Sequence, residues 1–404
     1  MSAAAFTHRT GAAGRWCAVA LGFSIPISVA VDNLLLALVL AGWLLSGALR
    51  DTITVVRGNP VCAAALVLLA LLAAGTAYGN QAPGDAAYSF KKYLDLLLIP
   101  VFAWFFRDAA TRRIGLLALA GSLALTLVLS LGLKLGVVPQ NALMTGDAAS
   151  PTAFKLRLTH NILMAFGAFL FAWFAATEES RRWRIAWGIL AVLAALNVTM
   201  MVQGATGYLI LGALGLLFAY GIGRWRGFGI AALAVTSAAL LLAYLPGPFQ
   251  ERVSTIDQEF RGWEAHRPQT TSIGLRLEFY RNTLRIIAEH PVIGVGTGGF
   301  PRAYEDHVRG SGMASTRNPH SEFLHLTAQL GPLGLAALLW LFWQQWRTAP
   351  RLAGVLEREL ARGLVAAMVI GCLYNSLLLD HTEGLLYAWL TGLLYGGVKS
   401  GGNG

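Results

Sequence analysis

Residues able to do chemistry gather in one charged stretch, Ser272 to Gly334, set among hydrophobic segments. Its first part predicts an amphipathic helix over about 272–289. At about 100° per residue, Leu275, Phe279, Ile286, Thr283, Ile287, Tyr280, Leu284 and Leu277 form one apolar arc. Glu278, Arg281, Arg285, Glu289 and Asn282 take the opposite side, where a solvated role suffices. Arg276 breaks the pattern and projects from the middle of the apolar arc, between Thr283 and Ile287. An arginine there must snorkel or meet a buried anion, because an unpaired buried charge is costly. Arg276 is therefore a candidate anion ligand. Pro291 stops the helix, and Gly294, Gly296, Gly298 and Gly299 predict a tight, backbone-exposing turn. Gly294-x-Gly296-x-x-Gly299 matches the dinucleotide fingerprint only on paper, since no strand precedes it and no acid lies at the required distance. Asn318-Pro319-His320 reads as a helix start, with Asn318 as N-cap and Pro319 at the first helical position. His320 would then lie in the first turn, where the positive helix end keeps an imidazole neutral and able to accept a proton. A capping histidine is the structural alternative.

Further candidates share this level of the chain. Glu322, His325 and Gln329 follow His320 as a polar stripe entering an apolar helix, where ionisable groups are functional candidates. Two histidines and a glutamate raise the question of a metal, but the spacing is not that of a zinc-binding pair and no third ligand is evident, so no metal is expected. Lys155, Arg157 and His160 form a second basic cluster at another helix entrance, and Lys91-Lys92 a third. Lys91 and Asp95 are four apart and could pair on one helix face, while Lys92 is a candidate anion contact, with snorkelling to the outer interface as the alternative for both lysines. Gln203–Tyr208 is a polar, uncharged turn, and Asp380-His381-Thr382-Glu383 an acidic one. No Asp-x-Asp and no Walker loop occurs, so neither a cytoplasmic sugar nucleotide nor ATP is expected, and no cofactor.

The elements that must position these residues are membrane helices. Hydrophobic residues make up 56 % of the chain and charged ones 13 %, a composition that requires a bilayer as solvent. About twelve apolar spans are legible, at 16–31, 33–49, 60–78, 88–106, 114–133, 160–177, 185–201, 205–221, 228–245, 321–346, 363–379 and 384–398. The expected fold is an all-α integral membrane protein divided into spans one to nine (1–245), a large helical loop (246–319) and spans ten to twelve (320–404). Arginines in alternate loops, among them Arg107, Arg112, Arg113, Arg181, Arg182, Arg184, Arg347, Arg351, Arg358 and Arg362, mark the inner side. The loop 246–319, with its nine arginines, then lies outside, where arginines suit phosphates or acidic sugars. The net charge of +10 is mostly this topology signal and does not indicate nucleic acid. Cys17, Cys62 and Cys372 fall inside spans and predict neither disulfide nor metal site. Arg9 and Arg15 before the first span and Ser28-Val29-Ala30 after it imitate a cleavable signal, but eleven further spans favour an uncleaved first helix. Asp32-Asn33 reads as a tight turn capping the second.

The Arg-bearing helix, HPVIGVGTGGF, and NPHSEFLHLTAQLGPLGL resemble the signature region of the O-antigen ligase and polymerase superfamily. FKKYLDLLLIP and RLTHNILMAF are similar to ligases more than to polymerases, and the twelve-span layout with one large loop between spans nine and ten is similar too. The resemblance implies a GT-C type glycosyltransferase of the bacterial inner membrane. It would move O-antigen glycan from undecaprenyl pyrophosphate onto lipid A–core oligosaccharide at the periplasmic face, without nucleotide, nucleic acid or metal and in contact with membrane lipids. It also implies that the histidine at His320 and the loop-helix arginine at Arg276 are essential. One departure stands out: ligases often have arginine in a Gly-Arg-Thr-Gly-like turn before span eight, and this chain has Gly204-Ala205-Thr206-Gly207. The residues independently suit inverting displacement, with His320 as base for the acceptor hydroxyl and Arg276, Arg157 and Lys92 stabilising the departing pyrophosphate. A polymerase or a protein O-oligosaccharyltransferase would differ only in acceptor. A flippase for an anionic lipid would spread its ionisable residues through the membrane midplane, often with internal repeats. Here they gather at one edge.

Overall fold

The computed structural model describes residues 2–79, 81–141, 144–202, 204–244, 254 and 272–398. Most of the expected loop's first part, 246–271, and Gln203 of the polar turn lie outside the described residues. The rest is helical. In chain order the α-helices are α1 (Ala3–Ser24), α2 (Val29–Leu45), α3 (Leu49–Gly58), α4 (Pro60–Gly75), α5 (Pro83–Lys92), α6 (Asp95–Phe105), α7 (Ala109–Lys134), α8 (Arg157–Thr177), α9 (Arg181–Leu196), α10 (Ala205–Tyr244), α11 (Ser272–Glu289), α12 (Phe300–Val308), α13 (Glu322–Thr348), α14 (Val355–Tyr374) and α15 (His381–Tyr395).

Five of the described helical segments are long and apolar enough to cross a bilayer, and α2 with α3 make a sixth if that pair, bent by 100°, is one span. That is the membrane-protein class expected, with a lower count of clear spans than twelve. Several expected spans are instead broken. The fourth splits at Tyr93-Leu94 into α5 and α6, so Lys91 and Asp95 never share a helix face and no ion pair joins them. Spans eight and nine run together as α10, broken where Arg224 adopts φ 53°. The second helix starts earlier than expected: Ser28 caps it, and Asp32 lies buried inside its first turn, accepting a hydrogen bond from the Ser24 hydroxyl.

α8 and α15 form the centre. Leu163, Phe166, Phe169 and Trp173 of α8 and Trp389, Leu390 and Leu393 of α15 are buried. α9, by contrast, exposes Trp183, Ile185, Ile189 and Val192. An apolar face turned outward in this way is what lipid tails cover. Arg112, one of the arginines expected to mark the inner side, pairs with Glu357 at 2.8 Å and donates to the carbonyls of Phe106 and Arg107. One topology-marking arginine thus also clamps α7 to α14.

The charged stretch is docked onto this bundle by a kink. Pro332 has no N–H, and Gly331 adopts φ 64°, so the carbonyls of Ala328 and Gln329 lose their partners inside α13. The glycine turn supplies replacements: Val295 N–H donates to Ala328 O and Gly296 N–H to Gln329 O, both at 2.9 Å. Thr297 completes the strap, its amide donating to Gly75 O at 2.8 Å and its hydroxyl to Leu72 O at 2.8 Å. Gly296 has φ 84°, and a Cβ there would lie 2.2 Å from Tyr78 O. Only glycine fits, and the turn is as tight as its sequence predicts.

Candidate functional site

α11 is amphipathic as its periodicity predicts, with two residues exchanged. Asn282 is buried against the hydroxyl of Tyr304 at 3.1 Å, while Leu284 is exposed. Phe279 and Ile286 pack with Phe300, Tyr304 and Val308 of α12 in a small core of their own. Arg281 and Arg285 are exposed. Arg276 is half-buried and points toward the bundle, its guanidinium 3.5 Å from Asn375 Oδ1. No carboxylate pairs with it among the described residues.

His320 lies beside it, in a conformation the sequence did not predict. Helix α13 begins at Glu322 with Ser321 as N-cap, so His320 precedes the helix rather than occupying its first turn. It adopts φ 56°, a left-handed conformation uncommon for a residue with a Cβ. Asn318 caps locally: its side-chain oxygen accepts the His320 N–H at 2.7 Å. The His320 carbonyl lies 3.0 Å from the Tyr280 hydroxyl, which is also 3.0 Å from Leu373 O. The imidazole stacks on Phe279, centroids 5.8 Å apart and planes 22° apart. Burial first, and the Arg276 charge second, hold its pKa below the ordinary histidine value. The neutral ring expected from the sequence therefore has different physical causes from the helix end proposed for it.

Asn375 ties the site to the bundle. Its amide nitrogen donates to Thr206 Oγ1 at 3.2 Å, in the Gly204–Gly207 turn, while its oxygen faces Arg276. The turn that carries Ala205 therefore adjoins the Arg276 region through one side chain. Nothing in the sequence reading singled out Asn375, although a polar Asn-Ser pair inside an expected span (363–379) was a signal. Arg317 carries no distinguishing signal in the sequence. Its guanidinium lies 5.5 Å from the centroid of Tyr88 and 3.4 Å from Asp85, and Lys92 lies 5.4 Å from the same ring. Lys92, Arg317 and the His320 loop thus share one face, and Lys92 lies within electrostatic range of Asp380.

The other candidates are placed differently. Arg157 is the exposed first residue of α8, with no described contact to Arg276. Lys155 is buried, donates to Thr382 Oγ1 at 3.1 Å and lies within electrostatic range of Asp32 and Glu383. His160 is buried, its Nε2 3.0 Å from Asn197 Oδ1. Both oxygens of Glu322 are taken, by the Tyr93 hydroxyl at 2.7 Å and the Leu378 N–H at 3.0 Å. His325 is buried edge-on against Phe300 at 5.2 Å. These four hold the helices around the site.

Residues 189–339, the end of α9 through the kink of α13, match the family model of the O-antigen ligases. Over that stretch the chain is similar to the O-antigen ligases. No curated protein matches it. Among solved structures, one described as "Structural coordination of polymerization and crosslinking by a peptidoglycan synthase complex" contains a chain with 17 % identity, covering 83 % of this chain and 97 % of that one, at a TM-score of 0.45.

Proposed function

We propose that the chain is an inverting glycosyltransferase that moves O-antigen polysaccharide from undecaprenyl pyrophosphate to lipid A–core oligosaccharide at the periplasmic face of the inner membrane. The observation that carries the reading is the meeting of Arg276, without a carboxylate partner among the described residues, and a neutral His320 on one face of the docked loop helix. The two supply what the reaction needs. The imidazole removes the proton of the acceptor hydroxyl as the hydroxyl oxygen attacks the anomeric carbon. The C–O bond to the lipid pyrophosphate breaks from the opposite side, which inverts that carbon. The leaving diphosphate takes the electron pair and is stabilised by the guanidinium, with Lys92 and Arg317 on the neighbouring face. The match of residues 189–339 to the O-antigen ligase family supports a lipid-linked glycan substrate, and the ligase-like FKKYLDLLLIP and RLTHNILMAF segments favour the lipid A–core acceptor over a second lipid-linked chain.

The test is transfer by the purified full chain in vesicles holding lipid-linked O-antigen and lipid A–core, with chelator present and no nucleotide. Lipopolysaccharide formation supports the ligase. Elongated lipid-linked glycan instead would reassign it as a polymerase. The topology is checked separately, by labelling Gly310→Cys with an impermeant reagent in spheroplasts. Labelling only after lysis contradicts the periplasmic face.

A further inference from the structure

A polar cavity, of about 670 Å³, lies at the far end of the loop helix. It is lined by Glu289 and His290 from the end of α11 and by Arg302, Ala303, Asp306 and His307 of α12, with the glycine turn behind them. The size lies within the range of small-molecule sites, about 300–1,000 Å³. His307 Nδ1 stands 3.7 Å from Glu289 Oε1 across it, and Asp306 is held by Arg309 at 2.5 Å. None of these residues takes part in the Arg276–His320 site.

The lining indicates what would fit. Two carboxylates, one guanidinium and two imidazoles offer acceptors and donors together with little net charge. A pyrophosphate would meet Glu289 and Asp306 and be repelled. Among the described residues no group of three or more His, Cys, Asp or Glu is arranged to hold a metal. A neutral chain of sugar hydroxyls suits the set: carboxylates accept from paired hydroxyls, and the cationic and imidazole N–H groups donate to ring and glycosidic oxygens. Position adds a second argument. Glu289 follows Phe279, the residue stacked on His320, by ten positions on the same helix, about 15 Å along its axis. A saccharide leaving the transfer site along α11 reaches this cavity within a few sugar units.

We infer that this cavity is a glycan subsite, which holds the donor polysaccharide several sugars away from the bond being transferred and makes the protein prefer long chains. The inference rests on the glycosyl-transfer reading and deepens it. Two variants test it in the reconstituted full-length protein. Ala303→Trp fills the cavity, and Glu289→Gln with His307→Gln removes polar partners from its rim, where Glu289 is exposed and refolding of the core is not required. With long-chain and single-repeat lipid donors assayed side by side, the ratio of kcat/KM, long to short, should fall about tenfold, the effect of losing one charge-assisted hydrogen bond. An equal loss on both donors, an unchanged ratio, or a change confined to the KM of the lipid A–core acceptor overturns the inference. Binding separates this from failure of the transfer reading. Polysaccharide released by mild acid from the source lipopolysaccharide should bind the wild type and the transfer-dead Arg276→Ala chain alike, and bind at least tenfold more weakly to both cavity variants. No binding to the wild type contradicts the subsite even if transfer is confirmed.

Discussion

Arg276 with His320, and Lys155 with His160, look alike in the sequence: each is a cation and a histidine at the entrance to an apolar helix. The structure separates them. Arg276 and His320 are half-buried, meet each other, and have no carboxylate among their described partners. Lys155 and His160 are buried and each already has a protein partner, the lysine Thr382 near Asp32 and Glu383, the histidine Asn197 at its Nε2. A buried cation with protein carboxylates in range stabilises the fold, whereas one that faces only neutral groups is prepared for an anionic ligand. Residue type and topological level do not distinguish these two states, but the partners do.

The largest difference should appear in activity. Arg276→Ala is expected to reduce transfer by roughly 10²–10³-fold, the cost of removing one oxyanion-type donor. Arg281→Ala and Arg285→Ala, on the exposed face of the same helix, should keep transfer within about threefold of wild type, because exposed substitutions rarely matter. Initial rates at matched expression check this, and equal losses in all three would show that helical phase does not identify the ligand. Lys155→Met should act the other way round. It removes the buried hydrogen bond to Thr382 and the cation in range of Asp32 and Glu383, at a cost of about 1–3 kcal/mol. Thermal melts in detergent should show a large drop in Tm, while the protein that remains folded binds the lipid donor normally. A stable Lys155→Met that has lost donor binding would move Lys155 into the site and erase the contrast.

Asn375 should show an intermediate effect. Asn375→Ala removes the link from the Thr206 turn to Arg276 and is expected to lower kcat about tenfold, with donor KM changed much less, because the guanidinium stays but is no longer oriented. Asn375→Gln, which keeps the amide on a longer arm, should recover part of the loss. Loss of kcat without any recovery, accompanied by a lowered Tm, would make Asn375 a packing residue only.

How much of this was legible follows from the kinds of interaction involved. The amphipathic helix and the glycine turn were readable because periodicity and positive φ are local properties. Arg276 was readable as a charge out of phase with its own helix. The start of α13 was misread because Asn318-Pro319 imitates a cap, while Asn318 in fact closes a turn around His320 and leaves Ser321 to begin the helix. The commitments of Glu322, His160 and Lys155 could not be read, since each depends on a partner from a distant part of the chain: Tyr93, Asn197 and Thr382. Nor could the pairing of the turn's freed amides with the carbonyls released by Pro332.

The role of His320 is the central claim, and donor binding and turnover measured separately in the reconstituted protein test it most directly. His320 has its pKa lowered by burial and by Arg276, so its neutral form persists to below about pH 6.5, and proton acceptance is lost only as pH falls through that lowered value. Wild-type turnover should therefore be flat near neutrality and fall on the acid side, and His320→Ala should lower turnover by roughly 10²–10⁴-fold while the lipid donor binds as before. Restoration of turnover by His320→Lys or His320→Arg, with no acid limb in the wild-type profile, would contradict the account and make His320 a contact to the phosphates.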